Sequence, residues 1–347
     1  MIIQTAKTRY LLTTTILALV VSSLLTAADK PVIVKMASLA PEGSPWHEVL
    51  QEIAQDWREL SGGKVRLKIY AGGVVGDESD MVRKLRIGQI QAAALTAEGL
   101  SYIDRGIYAL SIPLLASNYQ ELDWIRDRME PELKARFADQ GFKVLAWADV
   151  GWVYWFTRHP VRTPDDLRPQ RIFTWAGDAE APKLWKGAGF LPVPLSAMDV
   201  LPALETGLID AVDATPLTVA SFQWFGTAKH MTNLPWAVLT GALIITQEVW
   251  MKIPDDLRPL LEDAVMKRTL RIKEEIRYMD NEAIEVMKAH GLKVIDITAA
   301  EKALWEELLS RFEITLRGTL VDTLMFDRAL ELKGELSRLK LEPAAPN

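Results

Sequence analysis

TPDDLRPQRIFTWAGDAEAPKLWKGAGFLPVPLSAMDVLPALETGLIDAVDATP, residues 163–216, is the stretch from which the fold of this chain can be read. TPDDLRPQRIFTWAGD gives a turn and then a strand beginning near Ile172. AEAPKLWKGAGF reads as a helix closed by Gly187 and Gly189, and LPVPL as a short strand. SAMDVLPALETG is a second helix, with Ser196 as N-cap, Asp199 three residues on and Gly207 as its stop. LIDAV returns as strand and ends in the turn Asp213 to Pro216. Alternation of strand and helix in this order builds a mostly parallel sheet from crossover units.

The same pattern occurs once before. Val32 to Ala37 is a strand, and a helix follows from Ser44 as cap and Pro45 in its first turn. Its apolar face is Trp46, Leu50, Ile53, Trp57 and Leu60, and Gly62-Gly63 ends it. Val65 to Tyr70 alternates as a strand, a helix runs from about Asp77 to Ile87, and Ile90 to Leu95 is strand again. Two such copies predict an α/β chain of two lobes, each a mostly parallel sheet flanked by helices. Ligands of such sheets sit outside the carboxyl ends of the strands, here in a cleft between the lobes. Pro254 to His290 is helical and charged, and a helix of some 30 residues would run about 45 Å, enough to span both lobes. LKVIDIT (292–298) is a short strand, another helix starts after Thr298, and the tail Glu342 to Asn347 is expected to fray.

Residues 1–28 read as a secretory leader: Lys7 and Arg9, an apolar run from Tyr10 to Leu25, and a small-residue cleavage site ending at Ala28. An uncleaved N-terminal anchor is the alternative. Removing the leader takes 28 residues and two positive charges from a chain of 347 residues and net charge −6, leaving 319 residues at −8. A chain of that size forms two domains with cores of their own. Acidic balance and the lack of a basic, aromatic-interleaved patch argue against nucleic acid. No cysteine is present, which excludes thiol catalysis, cysteine metal sites and disulfides.

In the blocks ASLAPEGSPWHEVL (37–50), VRLKIYAGGVVGDESDMVRKLRIGQI (65–90), PDDLRPQRIF (164–173) and ALETGLIDAVDATP (203–216), the sequence resembles the periplasmic solute-binding proteins of tripartite ATP-independent periplasmic (TRAP) transporters. The resemblance covers nearly all of the mature chain. It implies a small-molecule ligand, closure by hinge motion, and delivery to integral membrane permease subunits driven by an ion gradient, with no cofactor. It divides the chain into the leader (1–28), a first lobe of 29–150 with about 240–275, and a second of 151–239 with about 276–347. A homodimer through the helix beyond Arg317 is a further expectation.

Three departures from the family pattern stand out. The arginine that the family usually carries at the end of the strand after the DL turn, to pair with a substrate carboxylate, is replaced by Phe173. A second arginine, usual soon after the glycine matched by Gly151, is absent from Trp152 to Phe156, and the asparagine of the family's DGxEN turn has given way near Ala214. The ligand is therefore expected to be larger and less polar than a small dicarboxylate or sugar acid.

Catalytic chemistry finds little footing. His47, His159, His230 and His290 share no metal spacing; His47-Glu48 opens like a zincin motif, but Gln51 stands where its second histidine belongs. No G-x-S-x-G elbow occurs, and Ser61-Gly62-Gly63-Lys64 falls at a helix end, where the glycines form a cap. AGGVVGD (71–77) lacks phosphate-loop spacing and reads as a tight turn. Asp77-Glu78 and Asp165-Asp166 sit at helix starts, where acids favour the dipole. An exported hydrolase on a similar frame is the rival reading.

Seven of the twelve tryptophans fall between Trp147 and Trp236, the region of the second lobe and the crossover strands. Residues two apart on a strand share a face, so Arg171, Phe173 and Trp175 project together, as do Trp152 and Tyr154. The expected ligand contacts are Trp152, Tyr154, Phe173, Trp175 and Trp236, with Ser38, Glu98 and Thr215 as polar contacts at strand ends. Arg171 either remains a charge at the strand entry or reaches in to hold a carboxylate, as a conventional family member would.

Overall fold

The computed structural model describes residues 30–341; the expected leader, its cleavage near Ala28 and the C-terminal tail lie outside them. The strands are β1 (Val32–Ser38), β2 (Val65–Tyr70), β3 (Ala92–Thr96), β4 (Phe142–Thr157), β5 (Arg171–Trp175), β6 (Leu191–Leu195), β7 (Ala211–Ala214), β8 (His230–Thr232), β9 (Ala237–Thr246) and β10 (Lys293–Ile295). The helices of nine residues or more are α1 (Pro45–Leu60), α2 (Glu78–Arg86), α3 (Tyr119–Asp139), α4 (Arg258–Ala289), α5 (Ala299–Leu316) and α6 (Thr323–Leu341).

Local chemistry sets most boundaries. Ser44 accepts the His47 N–H and opens α1, while Asp77 accepts the Glu78 N–H and opens α2. Thr298 and Glu301 close a reciprocal capping box on α5. Ser196 caps a 3₁₀ turn that continues as helix Val200–Thr206, and Gly207 ends it in the left-handed conformation at φ 71°.

In the first lobe β1 runs parallel to β2 and β3; in the second, β5 runs parallel to β6 and β7. The two sets are not separate sheets. They are joined in the order β2-β1-β3-β9-β4-β7-β5-β6 through β9 and β4, which run antiparallel to each other and to their neighbours, and β8 and β10 extend the second lobe. β4 pairs with β9 as far as Val153 and with β7 from Tyr154 onward, so one strand passes from lobe to lobe.

That passage is built around a bulge. The β4–β9 register shifts between Asp149 and Gly151, leaving Val150 as the extra residue. Gly151 adopts φ 133°, and a Cβ there would overlap Asp280 Oδ2. Asp280 comes from α4, a helix of 32 residues and so about 48 Å long, which packs against both β4 and α1. Its Oδ1 accepts the Leu217 N–H at 3.1 Å, tying a second-lobe helix (Pro216–Ser221) to the same point. Beside it the fully buried Asp149 is held by Arg126 of α3 and by Arg277 of α4, whose Nη2 lies 2.6 Å from Asp149 Oδ2 and 2.7 Å from Asp123 Oδ1.

The end of the chain departs from expectation. α6 packs on 105–111 and α3 of the first lobe, burying Met325, Phe326, Ala329 and Leu332, instead of staying with the second lobe as the division at 276–347 required. The apolar face of the helix proposed for self-association is thereby covered within the chain. α3 itself went unread in the sequence, where its charged surface and internal Pro131 mask the buried stripe Leu122, Ile125, Met129, Leu133 and Phe137.

Gly151→Ala is expected to destabilise the protein by about 3 kcal/mol or more, since strain at positive φ adds to a clash with a packed carboxylate. Gly43→Ala, at φ 78° but with open space around it, is expected to cost about 1 kcal/mol. Urea denaturation midpoints of the two variants check the difference.

Candidate functional site

A cavity of about 220 Å³ opens at the carboxyl ends of the strands, between the lobes. The first lobe contributes Ser38 to Pro41 after β1, Trp46 of α1, and Thr96 at the end of β3. The second lobe contributes Phe173 and Trp175 of β5, Asp213 and Ala214 of β7, and then Thr218, Phe222 and Trp224. Ala148, Val150 and Val153 of β4 with Leu239 and Gly241 of β9 line the join, and Thr269 and Ile272 of α4 close the rear. The position is the one that parallel crossover sheets dictate. Two contacts tie the lobes at its rim: Ala197 N–H donates to Asp77 Oδ2 at 3.1 Å, and Arg105 pairs with Asp178 at 3.6 Å. A larger groove of about 520 Å³, near Arg168, Lys183 and Phe312, lies on the outer surface away from the strand ends.

Of the residues singled out from sequence, Phe173, Trp175 and Ser38 line this cavity. The Phe173 and Trp175 rings meet edge to face at 5.3 Å. Ser38 spends its Oγ accepting the Ala40 N–H at 3.0 Å. The others lie elsewhere. Trp152 packs on Tyr119, ring centroids 5.5 Å apart, in a small cluster with Ala116, Leu122 and Val238. Tyr154 packs into the core beside α4; burial first, and then the Asp280 charge, push its hydroxyl up to about 12. Trp236 stacks on Trp155 at 5.7 Å within the core. Thr215 caps the helix Pro216–Ser221, and its neighbour Thr218 reaches the cavity instead.

Arg171 stands at the wrong end of β5. It forms a bidentate pair with Asp210, 2.8 and 3.0 Å, whose carboxylate also accepts the Arg171 N–H. Four residues of strand, about 13 Å, separate it from Trp175 at the cavity. Glu98 is buried beside the site rather than in it, accepting from Tyr102 Oη at 2.9 Å and from Tyr108 Oη.

Among the described residues, no Arg, Lys or His lines the cavity. Its ionisable side chains are Glu78 and Asp213, neither anticipated from sequence as a contact. Glu78 is fully engaged, accepting from Thr96 N–H, Thr96 Oγ1 and Gly99 N–H, each at 2.7 Å. Burial nonetheless pushes it up to about 7. Burial, with the Asp178 and Glu78 charges, takes Glu98 up to about 8 against the pull of its two tyrosines. Burial also raises Asp280 to about 7 and Asp213 to about 6. Asp123 goes the other way: burial opposes its charge, but hydrogen bonds from Arg277 and Lys273 outweigh it and bring it to about 2. No cluster of His, Asp and Glu suited to a metal occurs among the described residues.

A two-lobed frame with an interlobe cavity at the strand ends is an arrangement suited to enclosing a small solute. Residues 36–312 match the DctP family of bacterial extracellular solute-binding proteins, family 7, and the chain belongs to that family. It is 21% identical over 82% of its length, and 86% of the relative, to the C4-dicarboxylate-binding periplasmic protein DctP of Rhodobacter capsulatus. It is 22% identical over 89% of its length, and 97% of the relative, to the sialic acid-binding periplasmic protein SiaP of Vibrio cholerae. Among solved structures, the sugar acid binding protein DctPAm of Advenella mimigardefordensis, in complex with galactonate, superposes with a TM-score of 0.82 at 17% identity, over 88% of this chain and 99% of that one. A TRAP periplasmic solute-binding protein of Shewanella oneidensis, with bound succinate, gives 0.81 at 15% identity over 87% and 99%. The protein is thus the solute-binding component of a TRAP transporter, which takes a small-molecule ligand and works with membrane permease subunits. Its relatives are binding proteins, so the hydrolase reading is not favoured. No helix of the described residues is long and apolar enough to cross a membrane.

Burial raises the buried carboxyls Glu78, Glu98 and Asp280, and the half-buried Asp213, to between about 6 and 8, which ties stability to pH. A folded value above the unfolded one means the folded state holds more protons, so stability is greatest below the unfolded value and falls as pH rises through the folded one. The thermal midpoint is expected to rise as pH is lowered from about 8.5 to about 5.5, and Glu98→Gln to flatten the upper part of that change. A midpoint that falls over this interval contradicts the assignment.

Proposed function

We propose that this TRAP component captures a small organic molecule with an apolar or aromatic body. Phe173, Trp175 and Trp224 would supply ring contacts, and Leu39 and Val153 would face them across the cavity. The observation that carries the reading is the lining: aromatic and aliphatic side chains surround two acids, with no cation among the described residues. A ligand carboxylate would meet repulsion there. Two like charges 4 Å apart cost about 4 kcal/mol at the effective dielectric of a partly exposed protein site. Without a guanidinium, the charge-assisted bonds that would offset this are missing. Burying a ring against the indoles contributes instead through area, about 25 cal/mol per Å².

Export by residues 1–28, with cleavage near Ala28, and lobe closure about the bulge at Gly151 complete the proposed cycle. The lobe limits, 29–150 with about 240–275 and 151–239 with about 276–322, belong to this proposal, with α6 placed on the first lobe. A conventional carboxylate-binding role for Arg171 is disfavoured by its bidentate pairing with Asp210 at the far end of β5.

Native mass spectrometry of protein purified without denaturation is expected to reveal a co-purified molecule of apolar or aromatic character. Trp175→Ala should weaken its binding about ten- to a hundred-fold, the cost of an aromatic contact, whereas Arg171→Ala should leave affinity within about two-fold. Intrinsic fluorescence titration reads both, since Trp46, Trp175 and Trp224 line the cavity. Recovery of a small dicarboxylate whose binding is lost in Arg171→Ala would refute the reading.

A further inference from the structure

The two acids in the cavity are in different states. Glu78 has three donors on its carboxylate and nothing left to offer a ligand. Asp213 has no ion pair and no side-chain partner among the described residues; the hydrogen bond it receives comes from its own amide. Its place follows from register. Asp213 lies opposite Trp155 across β4 and β7, on the face that carries Val153, and Val153 and Asp213 both line the cavity. Although packed protein raises its pKa, to about 6, it is mainly a carboxylate at neutral pH. Asp213 is half-buried, open to the cavity and set among apolar walls; a cation that enters would meet its carboxylate where little water screens the pair.

The opposite lobe carries the complement. The Trp46 indole N–H, on the first turn of α1, lines the same cavity and is buried with no hydrogen-bond partner. One lobe thus presents an unfilled acceptor and the other an unfilled donor, and the space between them is lined by Leu39, Val153, Phe173 and Trp175.

We infer that Asp213 anchors a basic nitrogen, so that the ligand class is an apolar organic amine or amidine rather than an acid. The inference rests on the apolar cleft proposed above and adds the sign and place of the ligand's charge. The cation sits at the carboxyl end of β7, an acceptor atom of the ligand faces Trp46, and the hydrocarbon or ring between them fills the aromatic wall. Closure then joins Asp213 to Trp46 through the ligand, which gives the closed form an interaction absent from the empty protein.

The test uses the mature protein and three probes on one phenylpropyl frame: 3-phenylpropylamine, 3-phenylpropan-1-ol and 3-phenylpropanoate, titrated by calorimetry at neutral pH. The amine is expected to bind about ten-fold or more tighter than the alcohol, as one charge-assisted hydrogen bond provides, and the carboxylate weakest. Asp213→Asn should remove the amine's advantage while leaving the alcohol within about two-fold, and Trp46→Phe should weaken amine and alcohol alike. Equal binding of all three probes overturns the inference while leaving the apolar cleft standing, and so does an amine preference that survives in Asp213→Asn. Tightest binding of the carboxylate overturns both readings, as does failure of all three to bind. The ranking on unsubstituted protein decides the matter even if a variant does not fold.

Discussion

Everything in this molecule turns on the point where β4 leaves one lobe for the other. There the backbone takes a conformation open to glycine, with Gly151 at φ 133°, because Asp280 of the long helix occupies the space a side chain would need. Two residues earlier Asp149 is buried among arginines from two different helices. Neither arrangement is favourable by itself. A buried carboxylate is tolerated only with its partners in place, and removing one of them would leave a charge uncompensated, at a cost of about 3–5 kcal/mol. The two constraints support each other: the ion network fixes where α3 and α4 cross β4, and that crossing sets Asp280 against the bulge.

The same point governs the site. The cavity lies at the carboxyl ends of parallel strands, but its rear wall is made from β4, β9 and α4, the elements that pass between lobes. A ligand bound there touches both lobes and the join at once, so its contacts differ between open and closed forms. Differential contact is what allows a ligand to shift a conformational equilibrium. The rim contacts, Asp77 with Ala197 and Arg105 with Asp178, are partly exposed and weak individually, which suits a closure that must reverse.

Much of this was legible in the residues. Strand and helix limits around Ser44, Asp77, Ser196, Gly207 and Thr298 follow from capping and turn chemistry that acts within four residues, and the structure agrees to within a residue or two. The doubled crossover pattern and the long helix were equally local in origin. The joining of two sheets into one was harder to see, because pairing of β4 with β9 spans about ninety residues and depends on no short motif. In the site, Phe173 and Trp175 were found by strand alternation. Arg171 shares that alternation but not the strand's far end, and parity carries no information about distance along a strand. An acid before a turn and a tryptophan in a first helical turn have ordinary local explanations, so Asp213 and Trp46 do not stand out in the sequence; only the cavity shows an Asp213 bonded to no more than its own amide and a Trp46 N–H without a partner.

Trp152 and Tyr154 show how a single extra residue redirects a site. On β9, Leu239, Gly241 and Leu243 line the cavity in alternation, with Ala242 reaching it as well, and Ala237 belongs to the alternating series though it does not line the cavity. On β4 the residues opposite that side are Ala148, paired with Gly241, and Val153, paired with Ala237. They are an odd number of positions apart, which a regular strand cannot place on one face. The bulge at Val150 supplies the missing step. Without it the face of Ala148 would continue to Trp152 and Tyr154, and the cleft would receive an indole and a phenol where it now has a valine. With it, Trp152 turns to Tyr119 and Tyr154 to the core beside the long helix. The bulge that bends β4 between lobes therefore also decides which side chains meet the ligand. It puts Val153, rather than an indole or a phenol, on the β4 side of the cavity near Asp213, and leaves the second lobe's aromatic contacts to β5 and the segment ending at Trp224.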